Sequence, residues 1–355
     1  MADQTSSSGD PLPPLLIPGL PNDVALQCIA RVPLVHHPTL SAVSKSWRSL
    51  LRSPLLFATR SRLNCSRPFL FINIRVHRSS KWFALLQSSS TLSPLPPLPS
   101  AAVGSAVAVV GPKIFVIGGC VNDIPSPDVW IFDTISNRWD LGQRMRVGRE
   151  FAAAGVVAGK VYVIGGCVVD SWARSANWAE VFDPDLGSWA GVPSPVEVKE
   201  KWMHASAVVG NRIFAMADRG GVTFDPVTAA WAAVSPGLDM GWRGRAAVVN
   251  GVLYCYDYLG RIRGYDVEKD VWMELRGVDK GLPKFLCGAT MANVGGKLVV
   301  VWEDGKKGKE MEIACAEVEV RREGDGQLWG SIVWSSSVLS APAGSSIIHC
   351  LAVEQ

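Results

Sequence analysis

The chain has 355 residues, of which 48% are hydrophobic and 19% are charged, and its formal net charge is +3. This composition excludes a disordered chain, and the length suits two domains or one large repeat array. The 34 Gly, 23 Pro and 14 Trp favour short strands and turns over long helices. No charge-free apolar run reaches the roughly 18 residues of a membrane helix, and the polar, acidic segment Met1–Asp10 lacks the features of a secretory signal. We therefore expect a protein of the cytoplasm or nucleus.

Net positive charge is concentrated in the N-terminal third of the chain, because acidic residues are missing there. Residues 24–122 contain no Asp or Glu but eleven Lys and Arg. A basic stretch attracts either nucleic acid or an acidic protein. Because these cations alternate with apolar residues and form no continuous run, the pattern favours an acidic protein partner or a solvated face over nucleic acid.

The first elements in chain order are short helices. The segment Leu20–Asp23 is typical of a helix start, with Asn22 or Asp23 as the N-cap, and Pro33 ends that helix. Pro38 suits the start of a second helix, Ser44 suits the cap of a third, and Ser53-Pro54 ends the pattern. Residues 20–57 therefore predict about three helices. A unit this small cannot bury all of its large apolar groups, so some of them should meet another surface.

The rest of the chain contains a repeat. Four pairs of an aromatic residue and an Asp are each followed by a Trp six residues after the Asp: Phe132-Asp133 with Trp139, Phe182-Asp183 with Trp189, Phe224-Asp225 with Trp231, and Tyr265-Asp266 with Trp272. Short apolar runs and Gly precede each pair, and two of those runs end in a double glycine. A period of roughly 40–50 residues built from short strands is typical of the blades of a β-propeller.

The blade count depends on how the ends of the domain are used. Five repeats start near residues 105, 151, 204, 246 and 288. Apolar strands within 68–86 and 345–355 predict one further, composite blade, because a closed propeller leaves no free sheet edge. We therefore favour six blades over five or seven. The charged tract from Glu303 to Glu323 predicts a solvated insertion loop.

These motifs resemble a known family. The segment Leu20-Pro21-Asn22-Asp23-Val24 through Val43-Ser44-Lys45-Ser46-Trp47-Arg48-Ser49-Leu50 resembles an F-box, and the repeats are similar to kelch repeats, although the glycine pairs fade after the second repeat. Together they resemble the plant F-box/kelch-repeat proteins of cullin-RING ubiquitin ligases. The resemblance implies a flexible proline-rich N-terminus (1–17), a small all-α F-box of about three helices (18–62) and an all-β kelch propeller (68–355).

The resemblance also implies a function. The F-box would bind a Skp-type adaptor and, through it, a cullin-RING ligase, while the propeller would bind a target protein for ubiquitination. The residues expected to form or support the adaptor surface are Leu20, Pro21, Leu26, Ile29, Val43 and Trp47. The alternative is a kelch interaction scaffold without ligase activity, in which the helices only cap the propeller.

Candidate target-binding residues precede the first strand of each repeat, where propeller loops converge at one end of the channel. They are Arg146, Arg149, Trp202, His204, Trp242, Arg243, Arg245, Lys284 and Phe285. Arg and aromatic residues dominate the energetics of many protein interfaces. The alternative for each residue is that it caps a loop or shields a blade edge.

The sequence shows no catalytic motif. None of the five His lies at i, i+4 from another His or from a Cys, and there is no nucleophile elbow, Walker loop or GxGxxG. The eight Cys include no CxxC, which fits a reduced compartment, and Cys120 and Cys167 after the double glycines are interpreted as unpaired thiols. We expect no catalytic residue, no metal or other cofactor, and no nucleic acid or membrane partner.

Overall fold

The computed structural model describes residues 15–77, 79–85, 91–100, 102–167, 178–195, 202–203, 205–218, 220–257, 259–286, 288–307, 310–324 and 326–354. Most of the N-terminus predicted to be flexible therefore lies outside the described residues. The chain divides into two compact units, with the boundary between Arg67 and Pro68. Within the described ranges, no helix is both long and apolar enough to cross a membrane.

The N-terminal unit is helical and has one α-helix more than predicted. Its elements are α1 (Asn22–Arg31), a 3-10 turn (Leu34–His36), α2 (His37–Ser41), α3 (Lys45–Leu51) and α4 (Pro54–Arg62). Ser44 caps α3 as predicted, since its Oγ accepts a hydrogen bond from Trp47 N at 3.1 Å. Ser53-Pro54 begins a helix instead of ending one. Ser53 Oγ accepts from Leu56 N at 3.3 Å, and Pro54 occupies the first helical position, where a missing N–H is not needed.

A buried arginine joins the two longest helices of this unit. Arg60 on α4 is 3% exposed, and its guanidinium donates to the carbonyl oxygens of Ala30 (2.7 Å), Val32 (2.8 Å) and Cys65 (2.8 Å). Two of these acceptors lie at the C-terminal end of α1, where helical carbonyls lack intrahelical partners and the helix dipole favours a cation. The Arg60 charge is therefore accommodated by backbone carbonyls around the apolar core formed by Ile29, Ala30, Leu50 and Leu56.

In the second unit, Pro68–Glu354, the described residues form almost entirely β-structure and include one short helix, α5 (Pro236–Gly241). In chain order its described strands are β1 (Pro68–Val76), β2 (Ser79–Leu85), β3 (Leu92–Pro94), β4 (Ala106–Val110), β5 (Lys113–Ile117), β6 (Cys120–Val121), β7 (Ile124–Pro125), β8 (Val129–Asp133), β9 (Arg138–Leu141), β10 (Ala153–Val157), β11 (Lys160–Ile164), β12 (Ala179–Asp183), β13 (Ser188–Val192), β14 (Ala205–Val209), β15 (Arg212–Met216), β16 (Gly221–Asp225), β17 (Ala230–Ala233), β18 (Arg243–Val249), β19 (Val252–Tyr256), β20 (Ile262–Asp266), β21 (Val271–Arg276), β22 (Thr290–Val294), β23 (Lys297–Lys307), β24 (Glu310–Arg322), β25 (Leu328–Pro342) and β26 (Ser346–Glu354).

These strands form propeller-like sheets. Four sheets have four strands each, in the orders β26-β1-β2-β3, β4-β5-β8-β9, β10-β11-β12-β13 and β14-β15-β16-β17. An eight-stranded sheet consists of two antiparallel meanders, β18 to β21 and β22 to β25, joined by a short parallel pairing of Leu275 with Leu328 and Arg276 with Trp329. The six-blade count stays a prediction, because it depends on counting this sheet as two blades.

The first strands of the meanders contact one another in a closed cycle. β4, β10, β14, β18, β22 and β26 each contact the next strand in that order, and β26 contacts β4. The C-terminal strand β26 pairs antiparallel with β1, with Phe69 opposite Val353 and Ile72 opposite Cys350. Strands from both ends of the unit therefore share one sheet, which removes the edges that an open ring would leave unpaired.

The six-residue spacing in the repeats follows from hairpin geometry. The aromatic residue on the third strand lies directly opposite the Trp on the fourth, and the Asp accepts hydrogen bonds from the backbone N–H groups two and three residues further on, as in Asp133 with Ile135 and Ser136. The same turn occurs at Asp183, Asp225 and Asp266. Ring centroids are separated by 4.9 Å for Phe132–Trp139, 5.2 Å for Phe182–Trp189, 4.4 Å for Phe224–Trp231 and 5.0 Å for Tyr265–Trp272.

Each repeat Trp also holds the chain that enters its sheet. The indole Nε1 donates to a carbonyl oxygen in the connection that leads from the preceding sheet to the first strand of its own. The donor–acceptor pairs are Trp139–Pro96 (2.9 Å), Trp189–Gln143 (2.9 Å), Trp231–Pro193 (2.8 Å) and Trp272–Gly237 (2.8 Å). The fourth strand of each sheet is thereby linked to the connection between neighbouring sheets.

The tract from Glu303 to Glu323 is β-structure, so its prediction as a solvated loop is wrong. It covers the end of β23, which has 11 residues, and all of β24, which has 13. The next strand, β25, has 15 residues and pairs with β24. Burial alternates at its start, since Glu310 is exposed, Met311 is 4% exposed and Ile313 is fully buried. In β24 the charged residues Glu310, Glu312, Glu317 and Glu319 alternate with buried residues, and this period of two is a strand signal that the high charge content obscured.

Deletion of residues 345–355 should destabilise the propeller severely. It removes β26, exposes the inner edge of β1, and takes Ile347, Cys350 and Val353 out of the core. At about 2 kcal/mol for each buried side chain, the loss corresponds to a fall in Tm of about 10 °C or more. Thermal unfolding checks this, with Val353→Asp expected to lower Tm and Val333→Asp, at a strand position 49% exposed, expected to leave it unchanged. A truncated chain that melts with the full chain would contradict the role of β26.

Candidate functional site

The residues predicted to bind an adaptor differ in their exposure. Pro21 and Val43 face solvent, with Val43 60% exposed. Ile29 is only 2% exposed and belongs to the core of the helical unit. The other three, Leu20, Leu26 and Trp47, are half-buried. The structure therefore leaves Pro21 and Val43 fully available for a partner and gives Ile29 a supporting role.

The half-buried Trp47 positions the segment that leads into α1. Its Nε1 donates to Leu16 O at 2.6 Å, and Leu16 N donates to Asn22 Oδ1 at 2.8 Å. Both backbone groups of Leu16 are thus held by side chains from α3 and α1. The N-cap of α1 is Pro21, which has no side-chain acceptor, so the prediction of Asn22 or Asp23 as the cap is wrong. Asn22 is the first helical residue, and its carboxamide oxygen accepts from Leu16. The two hydrogen bonds to Leu16 fix the segment that contains Leu20 and Pro21 against α1 and α3.

The helical unit exposes more large apolar side chains than the sequence analysis selected. Leu15 (56%), Val24 (42%) and Leu55 (58%) accompany Val43 at the surface. Their signal in the sequence is weak, because Val24 and Leu55 are single apolar residues at the margin of a helical stripe and Leu15 lies in the segment before α1. Exposed apolar groups in a unit of this size are typical of a protein-interaction surface.

The helical unit also carries exposed cations. Lys45, Arg48 and Arg52 lie three and four residues apart on α3, and together with Ser49 and Ser53 they line an open depression. Asp23 is the only acidic residue between positions 15 and 67. This surface is therefore positive, and it favours an acidic partner by electrostatic complementarity.

In the propeller, the predicted target-binding residues follow the fourth strand of each meander. Because adjacent strands alternate in direction, the connections after the second and fourth strands lie at the same end of the propeller, which we call the loop end. Backbone hydrogen bonds join these connections to one another, including Phe151 N to Gly104 O (2.7 Å) and Met203 N to Phe151 O (2.8 Å).

Glycine is required where two connections approach each other at the loop end. Gly118 has φ +65°, and a Cβ atom there would lie 2.5 Å from the carbonyl oxygen of Arg149. The neighbouring Gly119 N donates to that same oxygen at 2.7 Å. The double glycine therefore supplies both a left-handed backbone and room for the incoming chain.

Arg149 is a structural residue, which corrects its prediction as a target-binding residue. It is fully buried and forms a 2.7 Å ion pair with Glu180 of β12, whose side chain is equally buried. Its guanidinium also donates to Gly165 O (2.6 Å) and Trp178 O (2.8 Å), while Glu180 Oε2 accepts from Arg146 N at 2.8 Å. This network ties the connection between β9 and β10 to the sheet that begins with β10, and it presents no charge to solvent.

Trp242 is the second correction, because it is fully buried and donates from Nε1 to Gly244 O at 2.9 Å. His204 and the side chain of Arg243 lie outside the described part of the chain. The candidates that reach the surface are Arg146, Trp202, Lys284 and Phe285, with Trp202 50% and Phe285 62% exposed, while Arg245 is partly buried.

An apolar strip runs along the loop end and includes two residues that the sequence analysis missed. It consists of Val103 (48% exposed), Phe151 (47%) and Trp202. Trp202 Nε1 donates to Glu150 Oε1 at 3.3 Å. The same carboxylate also interacts with the Cys120 thiol beside the strip, and partial burial together with this hydrogen bond raises the pKa of that thiol. The sequence could have indicated Phe151, because it precedes the first strand of its sheet just as the predicted residue Trp202 does.

Two domain families match the chain. The F-box domain matches residues 17–59, and the family described as "FKB95, Kelch-repeats domain" matches residues 73–339. The chain belongs to the plant F-box/kelch-repeat family. An F-box followed by kelch repeats fits, in general terms, the substrate receptor of an SCF ubiquitin ligase, and proteins of this family are typically non-catalytic adaptors.

Similar proteins span nearly the whole chain. The F-box/kelch-repeat protein At4g39550 of Arabidopsis thaliana is 35% identical over 371 residues, covering 94% of this chain and 93% of the relative. The F-box/kelch-repeat protein At4g39590 of the same plant is 33% identical and covers 94% and 89%. The solved structure of YjhT is 13% identical, with a TM-score of 0.50 over 71% of this chain and 91% of that one, a likeness of fold alone.

Replacing Glu180 with Gln should destabilise the propeller by about 3 kcal/mol or more, because it leaves the Arg149 cation buried without its counter-ion. The matched control is Asp140→Asn, which breaks the exposed Arg138–Asp140 pair (side chains 70% and 51% exposed) and should change stability by less than about 0.5 kcal/mol. Denaturant unfolding of both variants measures the difference. Equal losses in the two variants would show that burial does not set the strength of the Arg149 pair.

Proposed function

We propose that this protein is the substrate receptor of an SCF-type ubiquitin ligase. One combination of features carries the proposal. The chain has an F-box match whose residues expose apolar side chains and cations, and it also has a separate kelch unit with its own interaction end. The F-box binds a Skp-type adaptor and the kelch unit binds a target protein.

On the adaptor side, the proposal assigns direct contact to Pro21 and Val43, which are exposed, and to the accessible parts of Leu20, Leu26 and Trp47. Ile29 supports the surface from the core. Burial of apolar side chains supplies the affinity, and the cations on α3 steer an acidic adaptor into place.

On the target side, the proposal assigns contact to the loop end, through the apolar strip and the exposed residues Arg146, Lys284 and Phe285. Counting the eight-stranded sheet as two blades, the propeller has six, and their first strands surround one channel. A closed ring gives the loops a rigid base, so their positions are set before the target arrives.

The protein performs no bond chemistry in this proposal. It holds the target and the ligase in one complex, which raises the effective concentration of the target's lysines near the activated ubiquitin. The ligase supplies the reaction. We place this activity in the cytoplasm or nucleus.

Val43→Asp should weaken binding of a recombinant Skp-type adaptor by about 30-fold, the effect of losing one apolar contact of about 2 kcal/mol. Since Val43 is 60% exposed, the melting temperature should not change. Val227→Asp introduces the same charge at a propeller turn residue that is 76% exposed and should leave adaptor binding intact. Isothermal calorimetry on the full-length chain measures all three proteins. Absence of adaptor binding by the unsubstituted chain, or equal binding by all three, would exclude the receptor function.

A further inference from the structure

Arg245 lies on an irregularity of the innermost strand β18. Arg243 pairs with Tyr256 and Ala247 pairs with Tyr254, so three residues of β18 lie opposite the single residue Cys255 of β19. Bulges of this kind change the direction of a side chain and are common beside functional sites. The side chain of Arg245 is the long polar group that this bulge carries.

The bulge is held from both sides. The fully buried Trp242 donates from Nε1 to Gly244 O at 2.9 Å. Gly244 has φ +64°, and a Cβ atom there would lie 2.5 Å from the hydroxyl oxygen of Tyr256. Only glycine suits this position, and the surrounding side chains keep the backbone in this conformation. The fold therefore fixes the point from which Arg245 extends.

The guanidinium of Arg245 is partly buried, and burial lowers its pKa to about 10. Among the residues that the structure describes, it has no hydrogen-bond or ion-pair partner. The titratable groups that interact with it are the Tyr256 hydroxyl, the Cys350 thiol and the His349 imidazole, none of which is a carboxylate. A desolvated cation without a counter-ion is costly, and such groups are common at binding sites.

The two other buried arginines show how this chain accommodates a cation when the purpose is stability. Arg149 has a carboxylate and two carbonyl oxygens, and Arg60 has three carbonyl oxygens. Arg245 has neither arrangement within the described residues. The difference indicates that its acceptor comes from another molecule.

The position of Arg245 points to the central channel. Burial and the nearby Arg245 charge lower the pKa of His349 on β26, so that imidazole is neutral near pH 7. In the ring of first strands, β22 lies between β18 and β26. Because Arg245 on β18 interacts with His349 on β26, we infer that its side chain points into the channel that the ring encloses. The His349 imidazole is thus uncharged, and Arg245 supplies a positive charge at the loop end of the channel.

We propose that the Arg245 guanidinium binds a carboxylate of the target protein, so the propeller selects a segment that inserts an Asp or Glu side chain into the channel mouth. A single unpartnered guanidinium matches a monoanion, and its planar fork can donate hydrogen bonds to both carboxylate oxygens. The inference rests on the proposed function, because the ligand is the target that the propeller presents.

Selection from a random dodecapeptide phage library on the full-length chain tests the proposal. Peptides recovered on the unsubstituted chain should be enriched in Asp and Glu, and Arg245→Met should abolish the enrichment. The matched control is Arg261→Met, which removes the same charge from the same end of the sheet, where Arg261 is exposed and already pairs with Glu274 at 3.3 Å. In the tightest peptide, exchange of the acidic residue for its amide should weaken binding about tenfold on the unsubstituted chain and less than about twofold on Arg245→Met.

Stability separates a binding role from a structural one. Arg245→Met should melt at the same temperature as the unsubstituted chain or higher, because it removes an uncompensated cation. A lower Tm, absence of acidic enrichment, or equal loss of enrichment in Arg261→Met would overturn the proposal. Displacement of the peptide by inorganic phosphate but not by acetate at matched ionic strength would assign the site to a free phosphate and overturn it too. No adaptor or ligase takes part, so the result is independent of the Val43 experiment.

Discussion

The contact between the repeat Trp and the aromatic residue opposite it is the interaction on which the propeller depends. It closes the outer hairpin of the sheet through ring packing, as in Phe182 and Trp189 at 5.2 Å, and the same indole holds the incoming connection through its N–H. One side chain thus joins the outermost strand to the passage between neighbouring sheets. Because the connection is fixed at this point, the exposed positions of each loop are free to vary in sequence without loss of the fold.

The sequence predicted the features that repeat, and it failed where burial depends on the tertiary arrangement. The Asp–Trp spacing predicted the hairpins correctly because a four-residue turn imposes it. Arg149 and Trp242 carried no sign of their burial, since Arg and Trp before a strand are equally common at surfaces and in cores. Phe151 was missed for the opposite reason, because its exposure depends on a backbone with φ +51° that a non-glycine residue rarely adopts. The Glu303–Glu323 tract was assigned by charge rather than by alternation.

The helical unit shows how a small domain can be stable and still present an apolar surface. Its core is small, but the buried Arg60 ties α4 to the end of α1 through three carbonyl oxygens, and Trp47 ties α3 to the lead-in segment. These polar anchors are directional and use little apolar surface. Apolar side chains such as Val43 are therefore left over for a partner, which is a requirement for any recruiting domain.

The pairing of β1 with β26 has a consequence for the synthesis of this protein. β1 leaves the ribosome early, but its inner partner begins 270 positions after Val76, at Ser346. At about 5–20 residues per second, translation of the intervening chain lasts on the order of tens of seconds. Throughout that time the apolar strand β1 has one unsatisfied edge, which can pair with a neighbouring nascent chain. The last sheet to be completed is thus the one that starts first, and protection of β1 by a chaperone would limit misassembly until β26 emerges.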